Sequence, residues 1–504
     1  GRAGPPDLQG RPVRVRPVVP GADTTRPMHR ARPPPPTFFP PHLRPQRDAR
    51  HRRARPRHPA PDLPMSALPD ILAERPAPEL RPAAEPPLSA VSTQTMAATA
   101  TASTTSTAIP PQAAASRTTI ADLDGADWQA LLADIRARRQ EFTAAHQIAP
   151  DVIAAFKRLG VYRALVPAAL GGDGLGPRAF CEMVERVAQA DGSAGWVASF
   201  GMGVTYLAAL PPATLARLYA DGPDLVFAGG IFPPQRAPRV DGGFEVSGRW
   251  EWSSGCLGAD VLGVGIAPVD SPASAEGPAA RPSLPRMAVL PRAQVHIERA
   301  WDVTGLVGTG SHDLVVERQF VAEDHTFVRG SRAQRDEATF RYPTLSFATQ
   351  VLSVVGLGIA RGAIEELKRL ALDRPSVTGA PRLADRPLVQ IELARAEAQL
   401  RAARAFFYDA IDAAWATLQT GAAEISAEQT RLLRLSSTHA ARTGAEVARA
   451  IQLQTGMSGV YHASPISQQV RDAQVLTQHA FMGDITYQNA GAMAFGLPPL
   501  PGFL

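Results

Sequence analysis

The stretch DGGFEVSGRWEWSSGCLGAD, residues Asp241 to Asp260, decides how this chain is read. Asp241-Gly242-Gly243 is turn chemistry, because glycine takes the positive φ of a tight reversal. Phe244, Val246, Trp250 and Trp252 fall on one side by period two. Glu245, Ser247, Arg249, Glu251 and Ser253 fall on the other. That alternation predicts a half-buried antiparallel hairpin. Its exit carries two tryptophans followed by Ser-Ser-Gly. Aromatic faces stack on planar rings, and hydroxyls direct hydrogen bonds to ring edges. A packed sheet with a polar turn is the plainer alternative.

Outward from this hairpin the chain divides by pattern. On its N-terminal side, Leu225 to Gly230 reads as a strand entering a flexible loop. On its C-terminal side, Val261 to Ala267, Met287 to Leu290 and Val295 to Ile297 read as further strands, with Ser271 to Pro285 a surface insertion. WDVTGLVGTGS, Trp301 to Ser311, is rich in turn-forming glycine and leads to an outgoing strand through Phe320-Val321. Thr309 and Ser311 read as part of a structural turn, with a cavity-facing role as the alternative. Upstream, helical spacing of Leu123, Trp128, Leu131, Leu132 and Ile135 predicts a helix. Another begins at Pro150 and stops at Gly160, and a third covers Phe180 to Ala190. Downstream, Val351 to Leu372, Leu388 to Leu418 and Ile425 to Gln452 read as long helices of a bundle. Gly356, Gly358 and Gly362 permit close helix packing in the first.

The chain has 504 residues, 45% hydrophobic, enough for several packed layers. Its formal charge of +5 is uneven. Residues 1–60 hold 14 Arg against 3 Asp, so 61–504 carry about 5 − 11 = −6. The basic leader lacks aromatic interleaving and any nucleic-acid-binding pattern, so no nucleic-acid partner is expected. Residues 1–118 are rich in Pro, Arg, Ala and Thr, a composition that predicts disorder. An extended gene start is the plain explanation, with Met28, Met65 and Met96 as alternative starts. No apolar run reaches about 18 residues, so no membrane partner is expected. Two isolated cysteines, Cys181 and Cys256, form no metal or disulfide pattern and fit a reducing, cytoplasmic location.

Gly248-Arg-Trp-Glu-Trp-Ser-Ser-Gly255 and the Trp301 to Ser311 stretch together resemble the acyl-CoA dehydrogenase fold, in its flavin-dependent monooxygenase branch. So do Leu170-Gly171-Gly172 with Asp191-Gly-Ser-Ala-Gly-Trp196, and Arg471-Asp472-Ala473 with its sequel to Ala480. The resemblance covers roughly Asp122 to Leu497. It implies an α+β chain: an N-terminal helical domain over 119–223, a central β-barrel-like domain over 224–330, and a C-terminal four-helix bundle over 331–504. It also implies that Trp252 covers a flavin ring and that Ser254 lies near flavin N5, with Ser253 as the close alternative. The strand at Phe227 and Ala228 would bond the pyrimidine edge, and Trp196 would line the flavin or substrate cavity. Arg361 would lie near the flavin phosphate or ring. Related oxygenases carry a further histidine about two turns after Trp196; Ser199 to Tyr206 contain none, which moves that role to Ser199 or Tyr206.

Where the dehydrogenases place their catalytic Glu, this chain has Ala480, which has no titratable group and so is no general base. The preceding His479 matches the oxygenase histidine, as base or as a contact of the flavin peroxide. Gly456 and Gly459 keep part of the pattern that holds adenosine across subunits. That implies loose binding of reduced FMN or FADH2, supplied by a flavin reductase, with O2 as co-substrate and a small aromatic or heteroatom-containing molecule as substrate. No metal is implied. The family's common assembly is a homotetramer. An FAD-dependent acyl-CoA or acyl-carrier dehydrogenase with its base elsewhere is one alternative. A non-catalytic helical interaction protein is another.

Overall fold

A computed structural model describes residues 123–269, 285–373 and 379–500. The expected leader disorder and almost all of the expected insertion, residues 270–284, lie outside the described residues. The N-terminal helices are α1 (Ala126–Ala137), α2 (Arg139–Ala145), α3 (Pro150–Arg158), α4 (Pro177–Ala190), α5 (Gly192–Ala198), α6 (Gly203–Leu207) and α7 (Pro212–Leu218). Trp128, Leu131, Leu132 and Ile135 are buried along one stripe of α1. Pro150 and Pro177 open α3 and α4 at the first-turn position, where a missing N–H costs nothing.

The strands are β1 (Phe227–Val240), β2 (Gly243–Ser253), β3 (Val261–Val269), β4 (Arg286–Pro291), β5 (His296–Glu298), β6 (His312–Ala322) and β7 (Thr326–Val328). They form one seven-stranded sheet in the order β5-β6-β2-β1-β3-β4-β7. β1 and β2 meet antiparallel at the Asp241-Gly242 turn, as expected. β1 also runs parallel to β3, so the segment expected to be a loop after Gly230 is strand. The barrel-like domain is an open sheet: its edge strands, β5 and β7, are three residues each and do not pair with each other.

The alternation expected along β2 holds only in part. Phe244, Val246 and Trp250 are fully buried, and the Trp250 indole donates to Gly265 O at 2.6 Å. Trp252 does not follow them. Between Trp250 and Ser253 the register against β6 gains one residue on β2, a bulge, and Trp252 sits at φ 62. An extra residue inverts the faces beyond it. The Trp252 side chain is therefore 63% exposed, and Ser253 is turned inward.

The C-terminal bundle comprises α8 (Ala338–Arg341), α9 (Thr344–Asp373), α10 (Pro387–Gln419), α11 (Ala427–Leu453), α12 (Pro465–Leu476) and α13 (Ile485–Ala494). α11 starts with a capping box between Ser426 and Gln429, a device worth about 1 kcal/mol. α9 is long and apolar enough to cross a membrane by length and composition, contrary to the expectation from the sequence. Its apolar window is 89% buried among the neighbouring helices, which accounts for its composition. A Cβ on Gly358 would sit 2.5 Å from Glu185 O and 2.6 Å from Ala188 Cβ, so glycine sets the approach of α9 to α4.

One buried pair of carboxyls ties the three regions together. Asp191 caps α5 by accepting from Ala194 N at 2.9 Å, and accepts from Gln468 of α12 at 2.9 Å. Asp472 of α12 accepts from Leu306 N at 2.6 Å. Burial, then the charge of Asp191, pushes the Asp472 carboxyl up to about 7. An acid whose folded pKa is raised stabilises fully below its unfolded value near 4 and loses that contribution as pH rises through the folded value. The unsubstituted protein should therefore lose Tm between about pH 4 and 7. Asp472→Asn keeps an acceptor for Leu306 N and removes one charge. It should flatten that slope and raise Tm at pH 8 by about 2 °C or more. Parallel Tm–pH curves for the two proteins would contradict this.

Candidate functional site

The exit of β2 meets the glycine-rich turn that precedes β6. Gly255 N donates to Thr309 O at 2.8 Å, and Gly255 takes φ 70, which glycine adopts without strain. Across this junction runs a chain of hydroxyls. Ser254 Oγ and Ser311 Oγ are 2.6 Å apart, Ser311 Oγ and Thr309 Oγ1 2.7 Å, and Thr309 Oγ1 and Leu306 O 2.7 Å. A carbonyl only accepts, and each hydroxyl has one proton. Thr309 therefore donates to Leu306, Ser311 to Thr309, and Ser254 to Ser311. Ser254 keeps only lone pairs for anything else that approaches it.

Beside this chain, Ser253 Oγ is buried without a hydrogen-bond partner among the described residues. Such an orphan costs about 1–3 kcal/mol unless a ligand or water satisfies it. Trp252 stands out from the same segment with its indole exposed. A polar edge beside an exposed ring face fits a flavin in both respects. Phe227 and Ala228 open β1, buried and in register with Val261 and Leu262 of β3. Gly230, a few residues on, lies against Trp250, which brings the start of β1 beside the end of β2.

α5 joins this junction to a second group of rings. Val197 lies 3.8 Å from the position of a Cβ on Gly255. The neighbouring Trp196 meets the His479 ring edge-on, with centroids 5.7 Å apart. His479 in turn lies 4.9 Å from the Phe481 ring. Thr438 and Arg442 of α11 hold this turn by donating to Phe481 O and Met482 O. Burial, then the charge of Arg329, pushes His479 down to about 4, so the ring is neutral at pH 7. Phe481 N donates to His479 Nδ1 at 3.2 Å, which places the ring proton on Nε2. Nε2–H is a donor. The local geometry thus favours a hydrogen-bond contact for His479 over the expected alternative of a base.

The structure brings together Ser253, Ser254 and Trp252 with the start of β1, and Trp196 with His479. Four expected residues make other contacts. Arg361 is ion-paired with Glu397 at 2.6 Å in a cleft lined also by Glu185, Gln189 and Arg404. Gly456 and Gly459 form a short turn after α11, where Gly459 packs on Thr455 and Gln452. Ser199 donates its hydroxyl proton to Trp196 O at 2.6 Å, which leaves its oxygen only as an acceptor. Thr309 and Ser311 lie in the expected structural turn, with their hydroxyls in the chain that reaches Ser254.

Sequence reasoning missed Phe481, Arg329 and Arg434. The guanidinium carbons of Arg329 and Arg434 lie 5.4 and 5.8 Å from the Phe481 ring centroid. Arg329 Nε is buried without a hydrogen-bond partner, and no carboxylate pairs with Arg329 among the described residues. Arg434 is buried on α11, where burial and then Arg329 weaken its hold on its proton. An aromatic two residues after His479 was a signal available in the sequence. The arginines carry none, because they come from segments about a hundred residues apart.

The N-terminal domain of the acyl-CoA dehydrogenase family matches residues 129–211, and an acyl-CoA dehydrogenase C-terminal domain matches residues 350–484. Proteins named indole-3-acetate monooxygenase from Pseudomonas putida and Acinetobacter baumannii are 60% and 50% identical to this chain. Each alignment covers 75% of this chain and 96% of the relative. The crystal structure of the HsaA monooxygenase from M. tuberculosis superposes with a TM-score of 0.68 at 26% identity, over 77% of this chain and 99% of that one. More distant relatives are named as oxygenase components or subunits.

The neutral state of His479 has a direct test. In 15N spectra of histidine-labelled protein, with His479→Asn used to assign the signal, the ring should show the Nε2–H tautomer. It should remain neutral down to about pH 5. Titration near 6.5, or the Nδ1–H tautomer, would contradict the geometry.

Proposed function

The chain belongs to the acyl-CoA dehydrogenase family, in its flavin-dependent monooxygenase branch, and from that premise we propose that its substrate is a small aromatic carboxylate of the indole-3-acetate kind. It is the oxygenase component of a two-component system, and a separate reductase supplies its reduced flavin. Bound reduced flavin supplies the two electrons that split O2, one atom entering the substrate and the other leaving as water.

In this reading the residues divide by task. Ser254 accepts a hydrogen bond at N5, and Ser253 or the backbone at Phe227 and Ala228 meets the pyrimidine edge. Trp252 covers the ring face. Trp196 and Phe481 bracket the substrate ring, and His479 Nε2–H donates to an oxygen or an electron-rich edge in the cavity. Enclosing walls keep water from the reacting atoms. A homotetramer is the assembly we propose; the exposed apolar side chains Leu453, Met457, Val460 and Tyr461 around the Gly456 turn support burial against another copy. Two buried free cysteines support a cytoplasmic setting.

The observation that carries the substrate class is Arg329. A guanidinium with a buried, unsatisfied Nε, beside a second arginine and with no carboxylate paired to it among the described residues, suits an anionic group arriving with the substrate. Arginine meets a carboxylate with two parallel hydrogen bonds. Hydrogen bonds to a charged group contribute about 1.5–3 kcal/mol, or roughly tenfold to a hundredfold in affinity. Arg329→Gln should raise KM for indole-3-acetate at least about tenfold and leave KM for neutral 3-methylindole within about twofold. Each reaction would be followed by entry of one 18O atom from 18O2. Equal effects on both compounds would contradict the carboxylate contact. Absence of 18O from both products, with reduced flavin supplied, would contradict the oxygenase reading.

A further inference from the structure

We propose that Ser311 and Thr309 are positioning residues that make this site discriminate reduced from oxidised flavin. The inference rests on the reading that Ser254 faces flavin N5. The distances in the hydroxyl chain, with the proton count, leave Ser254 as an acceptor. Reduced flavin carries a hydrogen on N5 and donates to such an acceptor. Oxidised flavin has a lone pair there and meets Ser254 oxygen against nitrogen, with no proton between them.

The direction of the chain is fixed at its far end. Leu306 O is a carbonyl and accepts from Thr309 under any protonation of the site. Asp472 accepts the N–H of the same residue, one peptide earlier, at 2.6 Å, and Leu306 O also accepts from Trp301 Nε1 at 3.1 Å. For Ser254 to donate to an oxidised ring, three hydroxyls must reverse. Thr309 then gives up Leu306 O, and one buried hydrogen bond is lost. A net hydrogen bond of the usual size corresponds to about tenfold in binding. A two-component oxygenase must take up reduced flavin and release the oxidised form, and this chain of hydroxyls favours both.

The test is anaerobic titration of the full chain with reduced and oxidised FMN, repeated with FAD, for the unsubstituted protein, Ser311→Ala, Thr309→Val and Ser311→Thr. The unsubstituted protein should bind the reduced form more tightly. Ser311→Ala and Thr309→Val release the Ser254 proton and should shrink the ratio of oxidised to reduced Kd about tenfold, chiefly by improving oxidised binding. The midpoint potential of the bound flavin should fall by about 30 mV, the two-electron equivalent of that factor. Ser311→Thr keeps the hydroxyl and should keep the ratio. A ratio unchanged in Ser311→Ala and Thr309→Val, including equal weakening of both redox states, would overturn the proposal while leaving the oxygenase reading intact. Failure of the unsubstituted protein to bind either redox state would overturn both.

Discussion

A single carbonyl, that of Leu306, is the point on which the site depends. It is anchored because the N–H of the same residue, one peptide earlier, donates to Asp472, a carboxyl buried on α12 of the C-terminal bundle. From that carbonyl the order of donors and acceptors runs through Thr309 and Ser311 to Ser254, across the junction between the glycine-rich turn and β2. A hydroxyl is ordinarily free to rotate and to serve either role. Here the fold removes that freedom at Ser254, the residue that follows β2. Buried polar networks of this kind are costly when incomplete and strongly specifying when every member is satisfied. Ser253, adjacent and unsatisfied, is the member that awaits a ligand.

The second half of the site is governed by charge. His479 sits among Trp196, Phe481 and Arg329, so burial and a neighbouring cation act in the same direction and keep the ring neutral. Neutral imidazole with Nδ1 occupied by a backbone donor is a fixed hydrogen-bond donor at Nε2. Ser254 and His479 thus each have one assigned direction, Ser254 as acceptor and His479 as donor. Arg329 and Arg434 both lie against the Phe481 ring, so positive charge gathers beside the neutral rings of Trp196 and His479.

Much of this was legible in the sequence. The turn at Asp241-Gly242-Gly243, the proline-started helices and the long alanine-rich helices follow from local rules and occur where those rules place them. The Ser-Ser-Gly exit and the Thr309 to Ser311 turn were recognisable as words. What failed to show was whatever depends on long-range pairing. Trp252 looked like a core residue because alternation assumes an unbroken register, and the bulge against β6 is a property of two strands. Arg361 looked available because its partner, Glu397, lies on another helix. Arg329 and Arg434 had no pattern at all. Their shared position around Phe481 exists only after β7, α11 and the turn following α12 have come together.

The most direct measurement is a neutron diffraction structure of the deuterium-exchanged protein, because the account turns on where three protons lie. It predicts the Ser254 deuteron on the line to Ser311, the Ser311 deuteron on the line to Thr309, and the Thr309 deuteron on the line to Leu306 O. A Ser254 deuteron pointing away from Ser311, with Ser311 donating back to Ser254, would contradict the account at its centre.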